Sequence, residues 1–252
     1  MEDIDHPYGF LLYETTVPFS GRVLHCTGMK DRAYVHVNGE LVGMMLHQFG
    51  DYQLHYLRIS NLKAGQKVQI LIENAGRRDK GYNDPKGIIS DVFLDGQVLH
   101  DWLMYPINLE NVFRSSFLQQ SKRPRSQTFA PSFYMGSFHV ADIADTYMDP
   151  SGWFKGQYML NGFNLGRYWP VMGPQVTLYT PATSLRPFNR LLLFELETAG
   201  NCQDAARNRC AVKFTDIPNV AKPVLDTDPI THPAFKNVLR PSMVGQESGR
   251  TA

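Results

Sequence analysis

VHVNGELVG at residues 35–43 and YMLNGFNLG at residues 158–166 are the two stretches that decide the fold. Each places an Asn-Gly pair between two short apolar runs. Because Asn and Gly both tolerate the positive φ angles that a two-residue hairpin turn requires, each stretch predicts a strand, a tight turn and a returning strand. The residues predicted to form these structural turns are Asn38, Gly39, Asn161 and Gly162.

Two further landmarks recur with the Asn-Gly pairs, in the same order and at an offset of about 123 residues. A Tyr-centred run precedes each hairpin, GFLLYETTV around Tyr13 and APSFYMGSF around Tyr134. An apolar run ending in ENAG or ETAG follows each hairpin, with Glu73 and Glu197 lying 35 and 36 residues after the respective asparagines. Similarity that keeps its order and spacing indicates an internal repeat with one copy per domain.

The repeated segments have the residue pattern of half-buried β-strands. Apolar side chains alternate, as at residues 68–72, and Gly and Pro interrupt the runs roughly every eight to twelve residues. We therefore predict an all-β chain of two tandem jelly-roll β-sandwiches. The predicted boundaries are 6–106 for the first sandwich, 107–128 for a linker, 129–216 for the second sandwich and 217–252 for an extended tail.

The composition excludes several classes of partner. The 252 residues carry 25 Lys and Arg against 24 Asp and Glu, with no long run of either sign, so nucleic acid is not an expected partner. The sequence contains no run of about 18 apolar residues, the length that a membrane helix needs, so we expect no membrane insertion. The opening MEDIDHPYGFLLYE does not have the basic and apolar regions of a signal peptide, and no export signal is predicted in this chain.

Two of the three cysteines lie close together in the sequence. Cys202 and Cys210 are near enough to bridge a short polar loop, which would imply an oxidising compartment, whereas Cys26 has no evident partner. Two reduced surface cysteines explain the same spacing equally well. Spacing alone therefore leaves both states open.

Acidic residues and histidines do not form a recognisable metal motif. Three aspartates are candidates for a hard cation such as calcium, but their spacing is not that of an acidic calcium loop, and surface turns explain them better. Four histidines lack the paired spacing of a zinc site. The residues concerned are Asp79, Asp84, Asp91, His25, His36, His47 and His55. We predict neither a metal site nor a cofactor.

Residues 152–181, GWFKGQYMLNGFNLGRYWPVMGPQVTLYTP, closely resemble the characteristic segment of the last β-domain in family 35 β-galactosidases. The similarity continues through DRAYVHVNGE at residues 31–40, the run at residues 72–102 and APSFYMGSF at residues 130–138. The resemblance implies that both sandwiches are galactose-binding-like domains. It covers nearly everything from residue 6 to about residue 224.

The family resemblance also implies a catalytic partner. The family hydrolyses terminal β-galactosides with retention, using two glutamates on a TIM barrel, one as acid and base and one as nucleophile. Neither glutamate maps onto this sequence, which begins almost where the first sandwich would, so we expect the barrel to be absent and the chain alone to be inactive. The barrel, joined in cis in the full-length family, is the expected partner.

Animal lysosomal members of the family have two cysteines eight residues apart just after the equivalent strand, as Cys202 and Cys210 are here. The resemblance therefore favours a disulfide between them. It also implies a lysosomal or secreted location for the protein.

Glu195 and Glu197 are the carboxylates best placed to act as a catalytic pair, because residues two apart on a strand share a face. Retaining hydrolysis needs two carboxyl groups about 5 Å apart across the sugar. A structural role is the stronger interpretation, since Glu73 repeats the position of Glu197 without repeating the pair.

Arg167, Tyr168, Trp169 and Trp153 are the candidate carbohydrate contacts. Aromatic faces stack on the apolar faces of sugars, and an arginine bonds to hydroxyl groups. A glycine and a proline on either side of the RYW run mark a tight turn, which favours a role in anchoring the sandwich.

Three functions follow from the sequence. The first is the non-catalytic C-terminal portion of a β-galactosidase, which supports or assembles with the barrel. The second is an independent lectin-like module that binds galactosides. The third is an inactive regulator that binds a full-length β-galactosidase. The family resemblance favours the first.

Overall fold

The computed structural model divides into two compact units. The first unit comprises Met1–Asn108 with Pro229–Ala252, and the second comprises Leu109–Asp228. The residues described are 1–47, 53–77, 83–115, 131–170, 172–197, 211–220 and 238–239. Nearly all regular structure in them is antiparallel strand, which confirms the predicted all-β chain of two β-sandwiches.

The described residues form the following strands and helices, in chain order. The strands are β1 Phe10–Thr16, β2 Gly21–His25, β3 Met29–Lys30, β4 Arg32–Val37, β5 Glu40–His47, β6 Gln53–Leu54, β7 Tyr56–Leu62, β8 Lys67–Glu73, β9 Gly87–Ile88, β10 Phe93–Leu94, β11 Gln97–Val98, β12 Leu103–Ile107, β13 Ser132–His139, β14 Thr146–Asp149, β15 Gly156–Leu160, β16 Phe163–Tyr168, β17 Leu178–Thr180, β18 Phe188–Glu195, β19 Lys213–Thr215 and β20 Val238–Leu239. The α-helix α1 spans Leu109–Arg114, and short 3-10 helices span Glu2–Ile4 and Ala182–Ser184.

The first unit is a sandwich of two main sheets. The larger sheet has the strand order β12-β1-β8-β4-β5-β6, the smaller has the order β11-β10-β2-β7-β20, and β3 pairs with β9. Leu11, Val35 and Ile70 from the larger sheet meet Leu24 and Leu57 from the smaller one in a fully buried core. Alternate residues of each strand therefore face this core, as expected for face-to-face sheet packing.

The second unit repeats this arrangement with fewer strands. A four-stranded sheet has the order β13-β18-β15-β16, and a three-stranded sheet has the order β17-β14-β19. Tyr158 and Leu193 from the first sheet pack in one core with Met148, Leu178 and Phe214 from the second.

The internal repeat is visible in the strand order and register. The run β1-β8-β4-β5 in the first unit and the run β13-β18-β15-β16 in the second contain the repeated segments in the same order. Val37 pairs with Val68, and Leu160 pairs with Leu191, so both residues of the second pair lie 123 positions after those of the first. The two sheets therefore share one register.

This register corrects the sequence comparison at Glu73. Counting 123 residues on from Glu73 leads to Leu196, not to Glu197. A shift of one residue places a side chain on the opposite face of a strand, so Glu73 does not repeat the position of Glu197. The residue equivalent to Glu195 is Ile72, a fully buried core residue of the first unit. The second unit thus has a carboxylate where the first has an aliphatic side chain.

Each Asn-Gly pair forms the two-residue turn of a hairpin. Asn38 and Gly39 have φ angles of 50° and 86° between the paired strands β4 and β5. Asn161 and Gly162 have φ angles of 54° and 86° between β15 and β16. Both turns therefore use the left-handed conformations that these two residue types tolerate.

The turn asparagines also bond to the strand beside the hairpin. Asn38 Oδ1 accepts the backbone N–H of Lys67 at 3.0 Å, and Asn161 Oδ1 accepts the backbone N–H of Arg190 at 2.9 Å. In return, the backbone N–H of Asn38 donates to the Lys67 carbonyl at 2.9 Å, and that of Asn161 donates to the Arg190 carbonyl at 2.8 Å. Lys67 and Arg190 are themselves equivalent in the repeat, so both units hold their hairpin register in the same way.

Regular structure also occurs in the segments predicted as linker and tail. Helix α1 lies within the predicted linker, and its residue Phe113 is buried, with the Arg190 guanidinium 5.0 Å from the ring centroid. Strand β20 lies within the predicted tail and pairs with β7. The predicted sequence boundaries themselves stay predictions. Among the described residues, no helix has the length and apolar character needed to cross a membrane.

Replacing Gly162 with Ala should destabilise the second unit by about 1 to 2 kcal/mol, because an L side chain is strained at this φ even where space for a Cβ exists. Gly136→Ala is the matched control: its Cβ would meet no other atom within 4 Å and its φ is not in the left-handed region, whereas a Cβ at Gly162 would meet the Phe113 ring at an ordinary contact distance of 3.5 Å. Urea unfolding followed by tryptophan fluorescence measures both, since Trp153 and Trp169 belong to this unit. Equal midpoints for the two variants would contradict the role of the turn.

Candidate functional site

The carboxylate of Glu195 lies at the centre of the hydrogen-bond network of the second unit. Its Oε1 accepts the backbone N–H groups of Lys155 at 3.1 Å and Glu197 at 3.0 Å. Its Oε2 accepts the backbone N–H of Phe154 and the hydroxyl of Tyr168, both at 3.0 Å. One side chain at the end of β18 therefore joins the segment before β15 to the end of β16.

Gly156 makes room for this network. A Cβ at this position would overlap the Phe194 carbonyl oxygen and lie 2.5 Å from the Tyr168 hydroxyl oxygen. The absence of a side chain lets the Tyr168 ring, which is 1% exposed, pack against the strand and reach Glu195. Gly156 is thus needed for the close approach of β15 and the tyrosine.

Burial opposes the charge on Glu195. The side chain is 1% exposed, and desolvation raises its pKa to about 7, although the four donors favour the ionised form. The same burial, together with the neighbouring carboxylate, raises the pKa of Tyr168 well above its usual value. The Tyr168 hydroxyl therefore remains a proton donor to Glu195.

Glu195 and Glu197 do not form a sugar-accessible pair. Both residues are 1% exposed, and both oxygens of Glu195 already accept hydrogen bonds from the chain itself. A retaining glycosidase needs its two carboxyl groups on either side of a bound sugar. The burial and the hydrogen bonds support the structural role predicted for these residues. The equivalence of Glu73 and Glu197, on which that prediction was based, does not hold.

Two of the four candidate carbohydrate contacts lie in the core. Tyr168 is buried against Glu195, and Trp153 is 3% exposed and donates its Nε1–H to the Ala211 carbonyl at 2.8 Å. Both rings are almost wholly removed from solvent, and this burial does not support the predicted contact with a sugar. Trp169 and Arg167 are half-buried, and the Lys155 ammonium lies 4.5 Å from the centroid of the Trp169 ring.

A cavity of about 320 Å³ lies beside strand β13. Its wall includes Trp153 and Tyr134, whose rings meet edge to face with centroids 4.9 Å apart. The other lining residues are Met135, Gly136, Ser137, Phe138, Leu191, Leu193, Ala211, Val212 and Phe214. The lining is largely apolar, which suits an apolar group better than a polyhydroxylated one.

Asp84, one of the three aspartates considered for calcium, binds a lysine ammonium group of the first unit. The Lys86 ammonium lies 2.9 Å from Asp84 Oδ2 and 2.7 Å from Asp31 Oδ1, and the side chain of Lys86 is fully buried. Lys30 lies 3.6 Å from the other oxygen of Asp84. Asp91 is exposed, and Asp79 lies outside the described residues. Within the described ranges, no group of three or more His, Cys, Asp or Glu side chains is arranged to hold a metal ion.

Of the four histidines considered for zinc, His25, His36 and His47 lie on strands, and His55 lies between β6 and β7. His25 stacks on Tyr56 with ring centroids 4.1 Å apart, and burial lowers the pKa of His36 to about 4. The pairing of β5 with β6 brings His47 Nδ1 within 3.3 Å of His55 Nε2, a contact that their sequence spacing does not predict.

Cys202 and Cys210 lie outside the described residues, so the disulfide between them stays a prediction. Cys26 is a buried free thiol whose Sγ lies 3.4 Å from Ser90 Oγ, and burial raises its pKa. A buried thiol of this kind behaves as a small core residue.

Family models match both units. The model described as "Beta-galactosidase, first all-beta domain" matches residues 1–108, and the one described as "Beta-galactosidase, galactose-binding domain" matches residues 131–189. These matches fall in the same order as the two copies of the repeat. The fold and the matches define the chain as paired all-β domains of a glycosidase.

Curated relatives agree with these matches. The chain is 37% identical to a β-galactosidase of Bos taurus over 241 residues, 35% identical to one of Homo sapiens over 259 residues, and 37% identical to β-galactosidase 17 of Arabidopsis thaliana over 226 residues. The aligned regions cover 86%, 93% and 79% of this chain but 36%, 37% and 32% of those relatives. The chain belongs to the β-galactosidase family, and it spans about a third of the length of the curated relatives it matches.

A solved lectin of Pleurotus ostreatus in complex with GalNAc aligns over 77% of this chain and 71% of its own, with a TM-score of 0.27 and 14% sequence identity. A score this low bears on neither the fold nor the ligand of the chain.

The raised pKa of Glu195 makes the stability of the second unit depend on pH. Its pKa is about 7 in the folded chain against an ordinary 4.5, so the folded state binds the proton more tightly. This stabilisation is complete below the ordinary pKa and is lost as the pH rises through the folded one. Between about pH 5 and pH 7, the free energy of unfolding should fall by about 1 kcal/mol per pH unit through this group.

Glu195→Gln, which cannot titrate, should remove that contribution to the slope in urea unfolding measured at several pH values. Glu14→Gln is the control, because its hydrogen bond with Lys67 lowers the pKa of Glu14, which therefore titrates below this range. A slope that Glu195→Gln leaves unchanged would show that Glu195 is not the titrating group.

Proposed function

We propose that this chain supplies the non-catalytic β-domains of a β-galactosidase and that these domains support the catalytic domain that hydrolyses β-galactosides. The observation that carries the proposal is the ordered pair of family matches, which together cover most of the chain, while the alignment with the bovine relative covers 36% of that relative. The family resemblance implies a TIM barrel as the catalytic partner, joined in cis in the full-length enzymes.

The chemistry of the second unit supports a structural role. Retaining hydrolysis needs two accessible carboxyl groups about 5 Å apart, one of them free to protonate the leaving oxygen. Glu195 uses both oxygens to hold backbone N–H groups and a tyrosine hydroxyl, all from its own unit. Its raised pKa reflects this burial and needs no catalytic explanation.

A second function, galactoside binding, is favoured by one observation. The family model that matches residues 131–189 is described as a galactose-binding domain. Such binding is compatible with the supporting role, because a β-domain that binds a glycan chain would keep this glycan near the catalytic domain that hydrolyses it. No cofactor is part of either proposal.

The proposed location is lysosomal or secreted, by resemblance to the animal members of the family. An oxidising compartment allows the Cys202–Cys210 disulfide to form and to persist. The disulfide would close a short loop of the second unit after β18.

The chain alone should show no turnover of a chromogenic β-galactoside, and its co-expression with the isolated catalytic domain of the bovine relative should raise the yield of soluble, active enzyme. Gly156→Ala is the matched variant, since the overlap with Phe194 and Tyr168 should disrupt the second sandwich and abolish the rescue. Turnover by the chain alone is measured per amount of chain, and the rescue is measured as the yield of soluble β-galactosidase activity from a fixed amount of cells.

An unchanged yield of active enzyme would contradict the supporting role. Turnover by the chain alone that disappears in Glu195→Gln or Glu197→Gln would instead place catalysis in the second unit.

Proteolysis of the secreted chain under non-reducing conditions should release one linked peptide pair that contains Cys202 and Cys210, with Cys26 recovered as a free thiol. Mass spectrometry before and after reduction identifies the pair. Free thiols at both positions in secreted material would show that the disulfide is absent.

A further inference from the structure

The three-stranded sheet of the second unit has an outer face that the sequence did not single out. Tyr147 on β14 pairs with Tyr179 on β17 and with Thr215 on β19, so these three side chains share one face of the sheet. The next residues along the strands, Met148 and Leu178, are buried in the core. The row of Tyr179, Tyr147 and Thr215 therefore faces away from the core.

The two tyrosines form an aromatic surface. Their ring centroids lie 5.7 Å apart with an interplanar angle of 53°, and Tyr179 is 47% exposed. They differ in this respect from Trp153 and Tyr168, whose rings are buried. A large aromatic side chain left half in water on a sheet face is available for contact with a ligand.

A carboxylate lies at one end of the tyrosine pair. Asp145 is exposed, and its Oδ1 accepts the backbone N–H of Ala182 at 2.8 Å. The Tyr179 hydroxyl also donates to this carboxylate, and the two hydrogen bonds lower the pKa of Asp145. Asp145 is therefore an ionised acceptor whose position relative to the Tyr179 ring is fixed by a hydrogen bond.

Asp149 and Lys213 lie beyond the other end of the tyrosine pair. They occupy opposed positions on β14 and β19, on the same face as Tyr147. The surface thus consists of an aromatic centre with polar groups at both ends, the arrangement that matches a ligand with an apolar face and a rim of hydroxyl groups.

We propose that the outer face formed by Asp145, Tyr147 and Tyr179 binds the terminal galactosyl unit of a glycan. The proposal rests on the galactoside binding proposed above and locates it on the domain. In a galactopyranoside the axial hydroxyl at C4 leaves the C–H bonds of C3, C4 and C5 together on the opposite face. That apolar face stacks on the tyrosine rings, and the carboxylate accepts hydrogen bonds from hydroxyl groups at the edge of the sugar.

The cavity beside β13 is a poorer site for the same ligand. A galactosyl unit carries a hydroxyl group on most of its carbons, and burying these groups against an apolar wall without partners costs about 1 to 3 kcal/mol for each one. The exposed tyrosine surface leaves the outer hydroxyl groups in water. Stacking there removes only the apolar face of the sugar from solvent.

The test uses the full chain and methyl β-galactoside, with binding measured by calorimetry and by NMR titration. Tyr179→Ala should weaken binding by about tenfold, because it removes the exposed ring, and Tyr147→Ala should weaken it in the same direction. Tyr179→Phe should weaken it less, since the ring remains and only the bond to Asp145 is lost. Phe163→Ala is the control, because Phe163 is 63% exposed on β16, outside this surface, and the change should leave the affinity unchanged.

Each contrary result is distinguishable. If the galactoside binds and both tyrosine-to-alanine variants bind it as tightly as the unchanged chain, this surface is excluded and galactoside binding by the domain still stands. If no saturable binding occurs at high millimolar concentration, galactoside binding fails together with this surface, while the supporting role is tested separately by the rescue of the catalytic domain. Equal affinity for methyl β-glucoside, whose C4 hydroxyl is equatorial, would overturn the assignment to galactose.

Discussion

The hydrogen bonds between each turn asparagine and the strand beside its hairpin set the register on which both sandwiches depend. In each unit the asparagine side chain and backbone bond to one residue of the next strand, Lys67 or Arg190. A slip of one residue there would turn the core-facing side chains of the hairpin toward solvent. The positive φ angles of the turns and these bonds act together, since the turn sets the hairpin and the side chain sets its place in the sheet.

The same framework carries different chemistry in its two copies. Where the first unit has the aliphatic Ile72, the second has Glu195, and this one substitution introduces a buried carboxylate into a shared architecture. The second unit accommodates it with three backbone donors and a tyrosine hydroxyl, and with a glycine that lets the tyrosine approach. Membership of a glycosidase family therefore does not make a buried glutamate catalytic, because its bonding partners decide its role.

Local features of the sequence were sufficient to predict the fold class. The Asn-Gly pairs and the alternation of apolar residues act over a few positions, so the hairpins and the repeat could be recognised directly. Three of the four hydrogen-bond donors to Glu195, in Phe154, Lys155 and Tyr168, lie 27 to 41 residues away along the chain and are brought to it only by strand pairing. For the same reason, the adjacency of Tyr147 and Tyr179 could not be seen before the pairing of β14 with β17 was known. The equivalence of Glu73 and Glu197 was wrong by one residue, because the similarity of ENAG and ETAG at the strand ends does not determine the register of β8 and β18 in their sheets.

The buried ion pairs of Lys86 make part of the first unit insensitive to ionic strength. Dissolved salt screens charges that lie in water, over a Debye length of about 8 Å at physiological concentration, and so weakens a surface pair such as Lys67 with Glu14. The side chain of Lys86 is 0% exposed, and those of Asp31 and Asp84 are each 7% exposed, so mobile ions have almost no access to these pairs. The link between the start of β4 and the segment before β9 therefore has much the same strength in dilute buffer and in concentrated salt.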